Sequence, residues 1–131
     1  MIKQWIGLDD QGIKLRRIYL ASKHGFSPKE FHRRCDHKGS TFTLVITTKD
    51  QVFGGYTSQS WNSNNQSYSD DKAFIFSFES HARRKATKSS KIIGCHGNSL
   101  VCFNNAFHLH GGCNKQFTQQ MPILSNKVSV V

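Results

Sequence analysis

No stretch of 18 or more apolar residues occurs in this chain, so it offers no membrane-spanning helix. Its start, Met1-Ile2-Lys3-Gln4-Trp5, lacks the apolar run of about 7–15 residues found in a secretory signal. The expectation is an intracellular, cytoplasmic protein. Cysteine is scarce: Cys35, Cys95, Cys102 and Cys113 include no C-x-x-C pair. That density excludes a disulfide scaffold and points to reduced thiols that serve as small buried hydrophobes. Acidic residues number 8 against 18 lysines and arginines, and none follows Glu79. The resulting formal charge of +10 favours acidic partners such as phosphates, anionic headgroups or an acidic protein face. No internal repeat is visible. With 131 residues and ten phenylalanines the chain supports one modest core and one domain.

What is present begins with a strongly punctuated helix. Ser27 supplies an N-cap, Pro28 fits the first helical position, Glu30 completes a capping box, and Phe26 and Phe31 form a hydrophobic staple. The helix is expected to run from Pro28 to about Cys35, with Gly39 as a stop or turn. Residues 41–47 alternate, Phe42, Leu44 and Ile46 on one face and threonines on the other, which predicts a strand. Residues 49–51 make a turn, and residues 52–58 return as the second strand of a hairpin. Gly54-Gly55 within it marks a bulge, a bend or a close backbone approach.

Residues 59–71, rich in Ser and Asn, are expected to form a loop tethered by Trp61 and Tyr68. Phe74, Phe76 and Phe78 point to one side of a further strand. Residues 81–91 are expected to be a basic loop, with short strands at 99–103 and 107–110 separated by Asn104-Asn105. Residues 14–21 lean to a short strand and residues 127–131 to a last β-like stretch. The fold class expected is α+β, a mainly antiparallel β-sandwich with short helices. Residues 1–13 form a lead-in segment and residues 14–131 a single domain.

Several uncommon strings occur in order: Tyr19-Leu20-Ala21-Ser22-Lys23-His24-Gly25-Phe26-Ser27, Phe31-His32-x-x-Cys35-Asp36-x-Lys38-Gly39-x-Thr41, Val52-Phe53-Gly54-Gly55-Tyr56-Thr57-Ser58, Ser60-Trp61 and Lys72-Ala73-Phe74-Ile75-Phe76-Ser77. In these the chain resembles a TLDc domain, the module of the oxidation-resistance family, densely from residue 15 to 78 and thinly afterwards. The resemblance implies a sandwich of two antiparallel sheets edged by short helices, protection against oxidative damage, and binding to the vacuolar-type proton-pumping ATPase. It implies no catalytic residue set, so a non-enzymatic protein-interaction module is expected, with no cofactor and no small-molecule substrate. Two departures stand out. Asn104-Asn105-Ala106 replaces a glycine-rich stretch. The closing strand with an acidic residue between apolar ones is missing or is replaced by residues 127–131, which implies reduced stability.

The small polar and glycine residues among those strings, Ser22, His24, Asp36, Gly54, Gly55, Ser60, Trp61 and Asp70, are candidates for a partner-facing patch. For the Ser and Asp members turn and cap chemistry is the blander reading, and for Trp61 a loop anchor. Arg83, Arg84, Lys85, Lys88 and Lys91 are candidates for polyanion contact, against a plain solvated loop. No aromatic interleaves residues 81–91, which weakens a nucleic-acid reading. A redox enzyme is the alternative. Its thiol would be Cys35 beside His32 and His37, at the helix end whose partial negative charge opposes a thiolate. Its metal site would draw on Cys95, His96, Cys102, His108, His110 and Cys113, whose spacing fits no standard finger, so no metal is expected.

Overall fold

A computed structural model describes residues 15–78, 82–85, 93–104, 106–111 and 124–130, with 82–85 and 124–130 described by their backbone. Among these residues ten strands form two antiparallel sheets. The strands are β1 (Tyr19–Leu20), β2 (Thr41–Thr47), β3 (Val52–Thr57), β4 (Gln66–Tyr68), β5 (Phe74–Ser77), β6 (Ala82–Lys85), β7 (Ile93–Cys95), β8 (Ser99–Phe103), β9 (Phe107–His110) and β10 (Leu124–Val130). One sheet has six strands in the order β1-β10-β2-β3-β5-β6, the other four in the order β4-β7-β8-β9. Helices α1 (Ala21–His24) and α2 (Pro28–Cys35) lie between β1 and β2 in sequence. The expected α+β sandwich with short helices is what the chain forms.

Helix α2 starts where its caps require. Ser27 Oγ accepts the Glu30 amide at 3.2 Å and Pro28 opens the first turn. The Glu30 carboxylate departs from the expected capping box and grips Arg33 twice at 3.0 Å and Arg34 at 3.2 Å, the i,i+3 and i,i+4 neighbours on its own helix face. Phe31 is fully buried and Phe26 packs against the same core cluster. Beyond the helix the chain turns through left-handed conformations at His37 (φ 58°) and Gly39 (φ 80°).

β2 and β3 form the expected hairpin, paired from Thr41↔Thr57 to Ile46↔Val52, with Asp50 left-handed in the turn. Both of its faces carry hydrophobic clusters. Val45, Phe53 and Ile75 join Trp61, Phe103 and Phe107 in the cluster between the sheets, so the threonine face of β2 looks inward. The opposite face carries Phe42, Phe74 and Phe76 with Leu44, Tyr56 and Phe78 around them. There Phe42 stacks on Phe76 at 4.8 Å and Tyr56 on Phe74 at 5.4 Å between ring centres.

The inward threonines are bearable because most are bonded. Trp61 Nε1 donates to Thr41 Oγ1 at 2.8 Å, and Thr47 Oγ1 accepts the amides of Lys49 and Gln51. Thr43 Oγ1 is buried without a partner. The glycine pair marks a close approach. A Cβ on Gly54 would collide with the Thr43 carbonyl oxygen and the Phe76 ring, and one on Gly55 would lie 2.5–2.8 Å from three atoms of the Phe103 ring.

Three expectations are corrected. Of the described residues 15–21 only Tyr19–Leu20 is strand, and Ala21–His24 is a helical turn closed by a bond from Tyr19 Oη to the Gly25 carbonyl at 2.6 Å. The stretch 59–71 contains β4, paired with β7. The basic segment is not wholly loop: Arg83, Arg84 and Lys85 lie on β6, which pairs with β5 and ends the six-stranded sheet. Edge strands tolerate basic residues, which discourage further pairing. Lys88 and Lys91 lie outside the described residues. At the C-terminal side, β10 inserts between β1 and β2, pairing Val128↔Val45 and Val130↔Thr43.

Candidate functional site

The family-like strings converge on the end of α2 and on residues 57–72. Asp36 caps α2 by donating its amide to the His32 carbonyl, and it meets Trp61 in an isolated parallel bridge. His37 donates its amide to the Trp61 carbonyl at 3.0 Å, and Gly39 donates its amide to Ser60 Oγ at 2.9 Å. The loop is thus clamped to the helix end by main-chain bonds and by the Ser60 hydroxyl. Trp61 is fully buried there, edge-on to both Phe31 and Phe103. It anchors its loop.

His32 sits beneath this junction, 8 % exposed. Its Nδ1 lies 2.7 Å from Asp36 Oδ1, and its Nε2 lies 2.8 Å from the carbonyl oxygens of both His96 and Ser99. The far Asp36 oxygen accepts Ser63 Oγ at 2.9 Å. The ring therefore ties α2 to the turn between β7 and β8. Sequence reasoning passed over His32 as a framework residue. The signal was there, because a His and an Asp four apart share one helix face.

A second polar centre is Asp70, 3 % exposed. Its carboxylate accepts Thr57 Oγ1 at 2.9 Å, the Ser58 amide and Ser58 Oγ at 2.7 Å each, and the Lys72 amide at 3.1 Å. Burial pushes the acid's pKa up, but the bonds from Ser58, Thr57 and Lys72 outweigh it and hold the pKa below the ordinary value. The group is an ionised clasp between the end of β3 and the start of β5.

The eight partner-facing candidates do not form one patch. Asp36, Ser60 and Trp61 meet at the α2 end; Gly54 and Gly55 lie in mid-sheet; Asp70 lies at the base of its loop; Ser22 and His24 lie on α1. Gly54, Gly55, Trp61 and Asp70 are buried, which leaves Ser22 exposed and His24, Asp36 and Ser60 half-buried. His24 Nδ1 accepts the Leu20 amide at 3.0 Å.

The three described thiols are buried. Cys35 is fully buried, and burial, then the Asp36 charge, pushes its pKa up to about 12, with Arg34 and Lys38 opposing weakly. At neutral pH such a thiol carries almost no thiolate. Cys95 and Cys102 are also buried, and burial raises both. Cys113 lies outside the described residues. Among the described residues no helix is long and apolar enough to cross a membrane.

Comparison with known proteins agrees with this architecture. A protein of Danio rerio described as MTOR-associated protein MEAK7 is 37% identical over 62 residues, covering 47% of this chain and 14% of that relative. The match thus spans a small part of the relative's length. The sequence profile of the TLDc domain matches residues 1–121, a stretch holding every string singled out above. With that match, and with two antiparallel sheets edged by short helices, the chain belongs to the TLDc domain family.

Proposed function

We propose that this chain is a non-enzymatic protein-interaction module of the TLDc type, acting in the cytoplasm in oxidative-stress resistance and in regulation of the vacuolar-type proton-pumping ATPase. The observation that carries the reading is the internal use of the polar residues in and between its family strings. Asp70, His32, Ser60 and the Trp61 indole bond to the protein itself, and Cys35 is sealed. Groups committed in this way build a rigid body, and chemistry at a pocket is not what they are arranged for. The contact surface then falls to the rim around α1 and the α2 end, where Ser22 is exposed and His24, Asp36 and Ser60 are half-buried. The relative described as MTOR-associated supports a module that works by association with another protein.

Pull-down with proton-pump subunits tests the partner. Enrichment over an unrelated domain of equal positive charge is expected, and its absence would remove the pump from this reading. A polyanion-binding role for Arg83, Arg84 and Lys85 is the second reading, favoured by their place on a terminal strand in a chain of net charge +10. Lys88 and Lys91 would extend that tract. Such binding would weaken steeply with salt, whereas capture by a fitted protein surface would persist.

A further inference from the structure

Among the described residues four strands stand at the ends of the two sheets: β1 and β6 in the six-stranded sheet, β4 and β9 in the four-stranded one. A terminal strand carries a row of main-chain N–H and C=O groups on its far side, a template for one more strand. β1 is two residues long and β4 three, too short to hold a partner by a main-chain ladder. β9 has four residues but no lysine, arginine or acid to choose a partner by charge. β6 also has four, Ala82–Lys85, and three in succession are basic.

Register fixes where those residues stand. Arg83 pairs with Phe76 and Lys85 with Phe74, which places both on the Phe42 face of the sheet, while Arg84 pairs with Ile75 on the other face. The strand is thus basic on both faces. A second copy of β6 laid along this edge would set basic residues opposite basic residues, and like charges directly opposite destabilise a ladder. The edge therefore refuses another copy of this chain and favours a strand carrying acids. The chain itself has few to give: Glu30, Asp36 and Asp70 are bonded elsewhere, and no acid follows Glu79. A phosphate polymer meets only half of what the edge offers, because its oxygens accept from N–H groups and donate nothing to C=O groups. A peptide strand brings both at the matching spacing. Residues 81–91 also contain no aromatic on which a base could stack.

We propose that β6 is a docking edge for an extended acidic peptide segment of a partner protein, which adds to the six-stranded sheet as a further strand with consecutive Asp or Glu residues opposite Arg83, Arg84 and Lys85. Alternate residues of β6 turn their N–H and C=O away from β5, so the strand offers about four main-chain bonds to the newcomer. Those bonds are blind to sequence. The charges supply the choice, by attracting acidic strands and repelling basic ones. The proposal rests on the basic strand of the second reading above and gives it a peptide as partner. It is separate from the α1–α2 rim, none of whose residues lies on β6.

The test titrates the full chain into a fluorescein-labelled peptide with consecutive glutamates between valine and threonine residues, read by fluorescence anisotropy. A twin peptide methylated on every main-chain nitrogen keeps the charge, loses the donors, and should bind about tenfold more weakly or worse. Replacing all three basic residues, Arg83→Gln with Arg84→Gln and Lys85→Gln, should weaken the unmethylated peptide about tenfold or more at low salt, and Ser22→Arg on the rim should not. With the peptide bound, hydrogen exchange should slow at alternate amides of residues 82–85, those turned away from β5. Should the triple variant fail to fold by circular dichroism, exchange in the wild-type chain decides. Equal binding of the two peptides, or binding of heparin without binding of the peptide, would overturn strand addition and leave the polyanion reading standing. Binding of neither would remove both, and unchanged exchange at residues 82–85 under saturating peptide would overturn the edge.

Discussion

Replacing Asp70 with Asn removes one charge from a buried group that receives four hydrogen bonds. Oδ2 takes Thr57 Oγ1 and the Ser58 amide, and Oδ1 takes Ser58 Oγ and the Lys72 amide. Whichever way the new amide turns, its NH₂ faces a main-chain N–H and a hydroxyl. One main-chain donor loses its acceptor in either orientation. Bonds to a charged acceptor contribute about 1.5–3 kcal/mol each, and losing one outright while weakening the others places the destabilisation at about 3 kcal/mol at pH 7. Urea unfolding measures it, as a lower midpoint with an unchanged slope.

The same variant carries a pH signature. The folded-state pKa of Asp70 is depressed, so its contribution is complete above the unfolded value of about 3.9 and is lost as pH falls through the lower folded value. The gap between wild type and Asp70→Asn should therefore be constant from neutral pH down to about 5 and shrink below about 4. A difference under about 0.5 kcal/mol at pH 7 would refute the clasp. So would a gap that stays constant into strong acid.

Three further outcomes follow from the packing. Gly55→Ala drives a methyl into the Phe103 ring, and overpacking of up to about 3 kcal/mol less about 0.5–1 for the stiffer unfolded chain leaves a loss of about 2 kcal/mol. Adding Phe103→Leu should recover part of it, and strict additivity in the double-mutant cycle would contradict the contact. Thr43→Val removes the unpartnered buried hydroxyl and should raise stability by about 1 kcal/mol, so a loss of that size in urea unfolding would mean the hydroxyl is bonded. Cys35 should resist iodoacetamide at pH 8 in the native chain and react readily in urea. Native reactivity within about tenfold of a free thiol would contradict its burial.

Local chemistry was the legible part of this chain. The Ser27 N-cap with Pro28 of α2 and the β2–β3 turn are written in adjacent residues, and both formed at the expected positions. Alternation in residues 41–47 gave the period of β2 but not its inside. Phe42 and Leu44 look the more apolar face, yet Val45 and the threonines face the other sheet, where Trp61 reaches Thr41, while Phe42 packs with Phe74 and Phe76 on the opposite face. The strand at Arg83–Lys85 was hidden by its charge, which an edge position tolerates. The pairing of β10 with β2 joins residues about eighty apart, and no local pattern encodes a partner at that distance. Asp70 and Asp36 stood out as motif residues, but their internal partners, Thr57, Ser58, Ser63 and His32, appear only once the chain is folded.

Whether this module works through its rim or through a thiol is decided most directly by side-by-side capture of proton-pump subunits with wild type, Ser22→Arg and Cys35→Ser, each checked for equal folding. Ser22→Arg should capture less, and Cys35→Ser should capture as much as wild type. Undiminished capture by Ser22→Arg, together with a peroxide-consuming activity lost in Cys35→Ser, would contradict the surface-docking module and restore the enzyme.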